Sequence, residues 1–150
     1  MPSYADRAVA DFERGFACSQ SVFAAFSSHF GVDPELARRV SAPFGGGMAR
    51  QGEVCGALTG AYMVLGLHAG NRTAEDRESK ERCYALMRQL TSEFRARHGA
   101  IRCRDLLGGL DLGSPEGLLL AREKGLLTEL CPKLVRDAAE ITEKLMERYP

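Results

Sequence analysis

The stretch that most limits how this chain can fold runs from Phe44 to Ala61, Phe-Gly-Gly-Gly-Met-Ala-Arg-Gln-Gly-Glu-Val-Cys-Gly-Ala-Leu-Thr-Gly-Ala. Gly45-Gly46-Gly47 lets the backbone turn through positive φ or pass close to another group. From Val54 to Leu67 small residues then recur, at Gly56, Ala57, Thr59, Gly60, Ala61 and Gly66. As a helix this segment is handicapped, because each glycine costs about 1 kcal/mol relative to alanine. It persists only where neighbouring backbones pack closely on its small residues. The segment is therefore expected as a central helix over about 54–69, ended by Gly70-Asn71.

The remaining segments also read as helical. Within residues 4–30, Val22, Phe23, Phe26 and Phe30 recur at three- and four-residue steps, and Cys18 lies one turn before Val22. Gly15 divides that segment, with a second helix beginning near Phe16 or Ala17, and Gly31 stops it. Asp33-Pro34-Glu35 and Ser114-Pro115-Glu116 each set a capping residue before proline at the first helical position. Cys131-Pro132 repeats the signal with a thiol at the cap. The helix opened at Asp33 should end before Pro43. Thr73 and Asp76 resemble a capping box. The helix after them carries Cys83, Leu86, Met87, Leu90 and Phe94 on one stripe and closes at Gly99. Ile101–Leu107 allows a short helical turn or two, and Gly125 closes the helix opened at Ser114. The last helix faces inward with Leu134, Val135, Ala138, Ile141, Leu145 and Met146. No alternating strand pattern occurs. The expectation is an all-α bundle of about five to seven helices, a single domain over 1–150, around the small-residue helix.

Charge narrows the function classes. Lys+Arg and Asp+Glu are equal at 20 each, so the net charge is zero and nucleic-acid binding is not expected. The first residues lack the apolar core of a secretory signal, and no apolar run reaches the roughly 18 residues of a membrane helix. A cytoplasmic protein is expected. Thiols are kept reduced there, so five cysteines point to metal or catalytic use more than to a disulfide framework.

The cysteines are separated by 20 to 37 positions, with no Cys-x-x-Cys. Local zinc, thioredoxin-like and ferredoxin-like signatures are absent, so any joint site must be assembled by tertiary folding. Cys55 lies where the glycine loop meets a helix start, where free N–H groups and the helix dipole favour a thiolate. The competing reading is a small buried residue beside Gly56 and Ala57. Cys131 precedes Pro132 near another helix start, and a core position before Leu134 fits it equally. Cys103 sits between Arg102 and Arg104, whose charges favour thiolate if they face it. Cys18 and Cys83 fit apolar faces, and Cys83 has no further argument. His29, His68 and His98 lack a ligand-type partner at i+4, and the last two suit helix ends, where cations are favoured. The glycine loop lacks the Gly-Lys-Ser/Thr ending of a phosphate-binding loop.

With these residues placed, the chain resembles the C_GCAxxG_C_C family, which is labelled redox-active. The resemblance covers nearly the whole chain. It rests on Cys18, on Phe44-Gly45-Gly46-Gly47-Met48, on Cys55-Gly56-Ala57-Leu58-Thr59-Gly60, on Cys103-Arg104 with Leu106-Leu107-Gly108, and on Cys131. The family motif reads Gly-Cys-Ala where this chain has Cys55-Gly56-Ala57, and Cys83 stands outside the set. The resemblance implies a redox role for Cys55, Cys18, Cys103 and Cys131 and supplies no substrate.

The leading expectation is a thiol redox protein with an unidentified redox partner. In it Cys55 attacks, and Cys18, Cys103 or Cys131 resolves the intermediate. A second reading gives the same four thiols to zinc or an iron–sulfur cluster. A third is a helical interaction module, such as a homodimer, with its thiols used for packing.

Overall fold

The structure, a computed structural model, describes residues 2–150. Its helices are α1 (Tyr4–Glu13), α2 (Cys18–Ser27), α3 (Pro34–Ser41), α4 (Gly56–Ala69), α5 (Arg77–His98), α6 (Cys103–Leu106), α7 (Pro115–Glu123) and α8 (Cys131–Arg148). Short helical turns at Ser28–Phe30 and Ala42–Phe44 prolong α2 and α3, and a wide turn over Leu126–Leu130 leads into α8. The fold is all-α and single-domain. Its one extended contact among the described residues is an isolated antiparallel bridge between Val54 and Arg102.

The small-residue segment forms the central helix, α4. Its first six residues, Gly56 to Ala61, are all buried, as are Val64, Leu65 and Ala69. It packs against α2, α5 and α8. At Gly60 an added Cβ would stand 2.6 Å from the main-chain oxygen of Ser19 in α2, and at Gly56 it would stand 3.1 Å from the Ser19 nitrogen. These glycines bring the start of α2 onto α4. Around them Phe26, Phe94, Leu58, Leu65, Leu90, Ile141 and Leu145 fill the core. Each such side chain, once out of water, contributes about 1.5–3 kcal/mol. Tyr4 of α1 stacks on Phe26 with ring centroids 4.2 Å apart.

Local chemistry sets most boundaries. The Asp33 carboxylate accepts from Leu36 N–H (3.1 Å), and Ser114 Oγ accepts from Gly117 N–H (2.9 Å), each ahead of the expected proline. α3 ends before Pro43, α5 ends at Gly99 in the left-handed region (φ 80°), and α7 is followed by Gly125 (φ 71°).

Three local expectations are corrected. α5 starts at Arg77 because the Asp76 carboxylate, not Thr73, caps it and accepts from Ser79 N–H (3.1 Å). Met87 leaves the inner stripe and is exposed, whereas Leu86, Leu90 and Phe94 are buried. Cys131 is the first helical residue of α8 and not its cap, a position taken by Leu130. α2 opens at Cys18, within two residues of the start expected after the Gly15 break. Ala17 before it is extended, with its N–H donating to Gln20 Oε1 (2.9 Å). No described helix is long and apolar enough to cross a membrane.

Candidate functional site: four helix starts around one cavity

Cys18, Cys103 and Cys131 are the first residues of α2, α6 and α8, and Cys55 is the cap of α4. All four line one cavity of about 650 Å³. Its volume lies in the range of small-molecule sites. All five cysteines are free thiols, and Cys83 lies apart. The Cys83 Sγ contacts the Leu65 carbonyl oxygen at 3.8 Å in the packing between α4 and α5.

Main-chain hydrogen bonds hold two of the thiol segments together. Cys55 N–H donates to Ile101 C=O (2.8 Å), Cys103 N–H to Glu53 C=O (2.7 Å) and Arg104 N–H to Gly52 C=O (3.2 Å). This clip joins the entrance of α4 to that of α6. Gly47 must be glycine for it to form. A Cβ there would stand 2.6 Å from Glu53 O and 2.7 Å from Cys103 Cβ.

The glycine loop is more unusual than its sequence suggests. Gly46, Gly47, Met48, Ala49 and Arg50 have φ of 68°, 69°, 66°, 54° and 67°, a run of left-handed backbone. Left-handed helical backbone costs about 1–2 kcal/mol for each residue with a Cβ, so Met48, Ala49 and Arg50 together carry about 3–6 kcal/mol of strain. Bonds from Arg50 N–H to Gly45 C=O (3.2 Å) and from Glu53 N–H to Gly47 C=O (2.9 Å) hold the loop. Strain of this kind concentrates at functional sites, and Gly45, Gly46, Gly47, Ala49 and Arg50 all line the cavity.

The α1–α2 corner forms another wall. Asp11, nearly buried, pairs with Arg38 at 2.7 Å and with Arg14 at 3.3 Å. Both guanidinium groups also face the Phe16 ring, at 4.5 and 5.6 Å from its centroid. Phe16 is thereby fixed against the cavity beside Ala17 and Cys18.

The thiol acidities depart from the expected order. Burial pushes Cys55 from the ordinary 9.0 up to about 12. The Ala57 and Leu58 N–H groups of the helix start pull the other way and are outweighed. Burial likewise raises Cys103 from 9.0 to about 11, with a smaller contribution from Cys131. Arg102 pairs with Glu53 (3.3 Å) and Arg104 donates to Gln51 C=O (3.3 Å), so neither flanking guanidinium serves the Cys103 sulfur. Cys131 is the exception. Its interaction with the neighbouring Cys18 thiol holds Cys131 below the ordinary value and drives Cys18 well above it. The most acidic cavity thiol is thus Cys131, not Cys55.

No histidine lines the cavity. His68 Nε2 lies 2.7 Å from Tyr149 O, and His98 Nε2 lies 2.9 Å from Asp137. Among the described residues no three Cys, His, Asp or Glu side chains meet as a metal-ligand set. The sequence carried no sign that Arg50 and Arg122 also line the cavity. Gln20, three residues after Ala17, is a further signal for the helix start at Cys18.

Fold and cavity together define an all-α protein with cysteines clustered from separate helix starts. The chain belongs to the family described as "Putative redox-active protein (C_GCAxxG_C_C)", whose model matches residues 16–145. That description supports a general redox role. No curated protein and no solved structure matches the chain.

Proposed function

We propose that the chain is a thiol redox protein working by thiol–disulfide exchange within this cavity. One observation carries the reading. Four cysteines distant in sequence open four helix elements onto one cavity, while the fifth is left in packing. Cys131, the most acidic, attacks a disulfide of the substrate. The S–S bond breaks, a mixed disulfide forms, and one half of the substrate leaves as thiolate. Cys18 then gives its proton to solvent and attacks the Cys131 sulfur, releasing the second half. Two protein thiols become one disulfide and the substrate disulfide becomes two thiolates, with two protons released. A dithiol reductant reverses the sequence. Cys55 and Cys103, held as neutral thiols, form a reserve pair. A reducing compartment such as the cytoplasm suits this state.

The test is a thiol titration of anaerobically purified protein before and after a mild disulfide oxidant, with the products mapped by mass spectrometry. Loss of two thiols, formation of a Cys18–Cys131 disulfide and recovery with dithiothreitol are expected. Cys83→Ser should behave as the parent, and Cys131→Ser should lose the fast phase. Thiols that react only after denaturation would overturn the proposal. So would about one equivalent of metal bound to these thiols.

A further inference from the structure

The cavity carries charge that its own chain does not neutralise. Arg50 of the strained loop and Arg122 of α7 both line it, and no aspartate or glutamate does. The neighbouring arginines have partners: Arg14 and Arg38 hold Asp11, Arg102 holds Glu53, and Arg104 holds Gln51 C=O. Among the described residues Arg50 and Arg122 make no side-chain ion pair or hydrogen bond. Neither acts on the thiols, whose acidities are set by burial, by each other and by main-chain amides. Both are exposed, as befits residues at a rim, while Cys55 and Cys131 are buried. Between rim and thiols the walls are apolar, with Phe12, Phe16, Leu106, Leu112 and Leu127.

Two cations above an apolar, thiol-bearing cavity of about 650 Å³ match one kind of ligand. We propose that the substrate is a small organic disulfide with an apolar body and carboxylate groups, its carboxylates held by Arg50 and Arg122 and its sulfurs presented to Cys131. Guanidinium groups suit this task because their planar fork matches a carboxylate. The apolar body takes up the wall contacts that most ligand sites rely on. The inference rests on the thiol-exchange reading above and specifies its substrate. The reaction is the one already balanced: the substrate S–S bond is reduced to two thiolates while Cys18 and Cys131 are oxidised to a disulfide.

The experiment compares two diaryl disulfide probes on the fully reduced full chain, following thiolate or thiopyridone release by stopped flow. One is the dianionic aryl disulfide 5,5′-dithiobis(2-nitrobenzoate), and the other is the neutral 4,4′-dithiodipyridine. Arg50→Gln and Arg122→Gln should each slow the dianionic probe by about fivefold, the scale of an exposed ion pair. Each should leave the neutral probe unchanged, and added salt should reproduce the selectivity on the parent. Equal slowing of both probes would assign the arginines a structural role and overturn the inference, as would no slowing of either. Circular dichroism of each variant separates misfolding from both results. If the native parent reacts with neither probe and the unfolded chain reacts with both, it is the thiol-exchange reading that falls, and the substrate assignment with it.

Discussion

Two glycines of the central helix give a matched test of what holds the cavity together. Gly60 and Gly66 both lie within α4, and alanine raises helix propensity at either by about 1 kcal/mol. Their surroundings differ. An added Cβ at Gly66 meets nothing within 4 Å, whereas at Gly60 it stands 2.6 Å from Ser19 O and 3.1 Å from Ser19 Cα. Ordinary contact begins near 3.4 Å, so the α2 backbone must retreat by most of an ångström. It is poorly placed to do so, because the buried Ser19 Oγ donates to Ser41 C=O at 2.8 Å. Overpacking of this kind costs about 1–3 kcal/mol. Gly66→Ala should therefore stabilise by about 1 kcal/mol, or about 2–4 °C in Tm for a chain of this length. Gly60→Ala should fall below Gly66→Ala by about 1–3 kcal/mol. Because Cys18 precedes Ser19, Gly60→Ala should also slow formation of the Cys18–Cys131 disulfide. Urea denaturation of both variants at fixed pH, with disulfide formation followed in parallel, checks the pair. A Gly60→Ala protein that gains as much stability as Gly66→Ala would refute the close packing of α2 on α4.

Two further outcomes follow from the loop and the thiols. Ala49→Gly removes a Cβ from left-handed backbone (φ 54°), relieving about 1–2 kcal/mol while giving the unfolded chain about 0.5–1 kcal/mol of extra freedom. A net gain of about 0.5–1 kcal/mol in a urea melt is expected, and a loss would contradict the strain. In alkali the fold should weaken. Cys55 and Cys103 ionise near 9.0 when unfolded but only near about 12 and about 11 in the fold. Above pH 9 the unfolded chain therefore binds fewer protons, and the stability present below pH 9 is lost as pH rises through the folded values. Cys131, shifted downward, acts in the opposite sense, adding stability above pH 9 that is lost as pH falls through its folded value. Denaturation between about pH 8 and pH 10 should show a decline that Cys55→Ser makes shallower, and stability rising over that interval would contradict the burial of Cys55.

Much of the architecture was legible because its signals are local. The proline-and-cap pairs at Asp33 and Ser114, the stop at Gly99 and the small residues of α4 each carry their own physical cause. The grouping of the cysteines was legible too: Cys18, Cys55, Cys103 and Cys131 line one cavity, and Cys83 does not. The acidity of those thiols was not. Proximity to a helix start predicted a low value for Cys55, but desolvation depends on what surrounds the sulfur in three dimensions, and there it dominates. The Cys18–Cys131 pairing joins residues about 110 positions apart, which no spacing rule anticipates. The left-handed run was invisible beyond its glycines, since nothing in Met48-Ala49-Arg50 favours positive φ.

The distance along the chain between Cys18 and Cys131 has a thermodynamic side. Joined as the proposed step joins them, the two sulfurs would tie the start of α2 to the start of α8 and close a loop of about 110 residues. A loop of that size removes about 4.7 kcal/mol of freedom from the unfolded chain. The same free energy acts in both directions, because whatever the bond adds to the fold the fold adds to the bond. At about 30 mV for each 1.4 kcal/mol, folding would draw the reduction potential of the pair down by about 100 mV. Each pair of electrons withdrawn from the thiols would then leave a molecule that melts at a higher temperature than the one that held them.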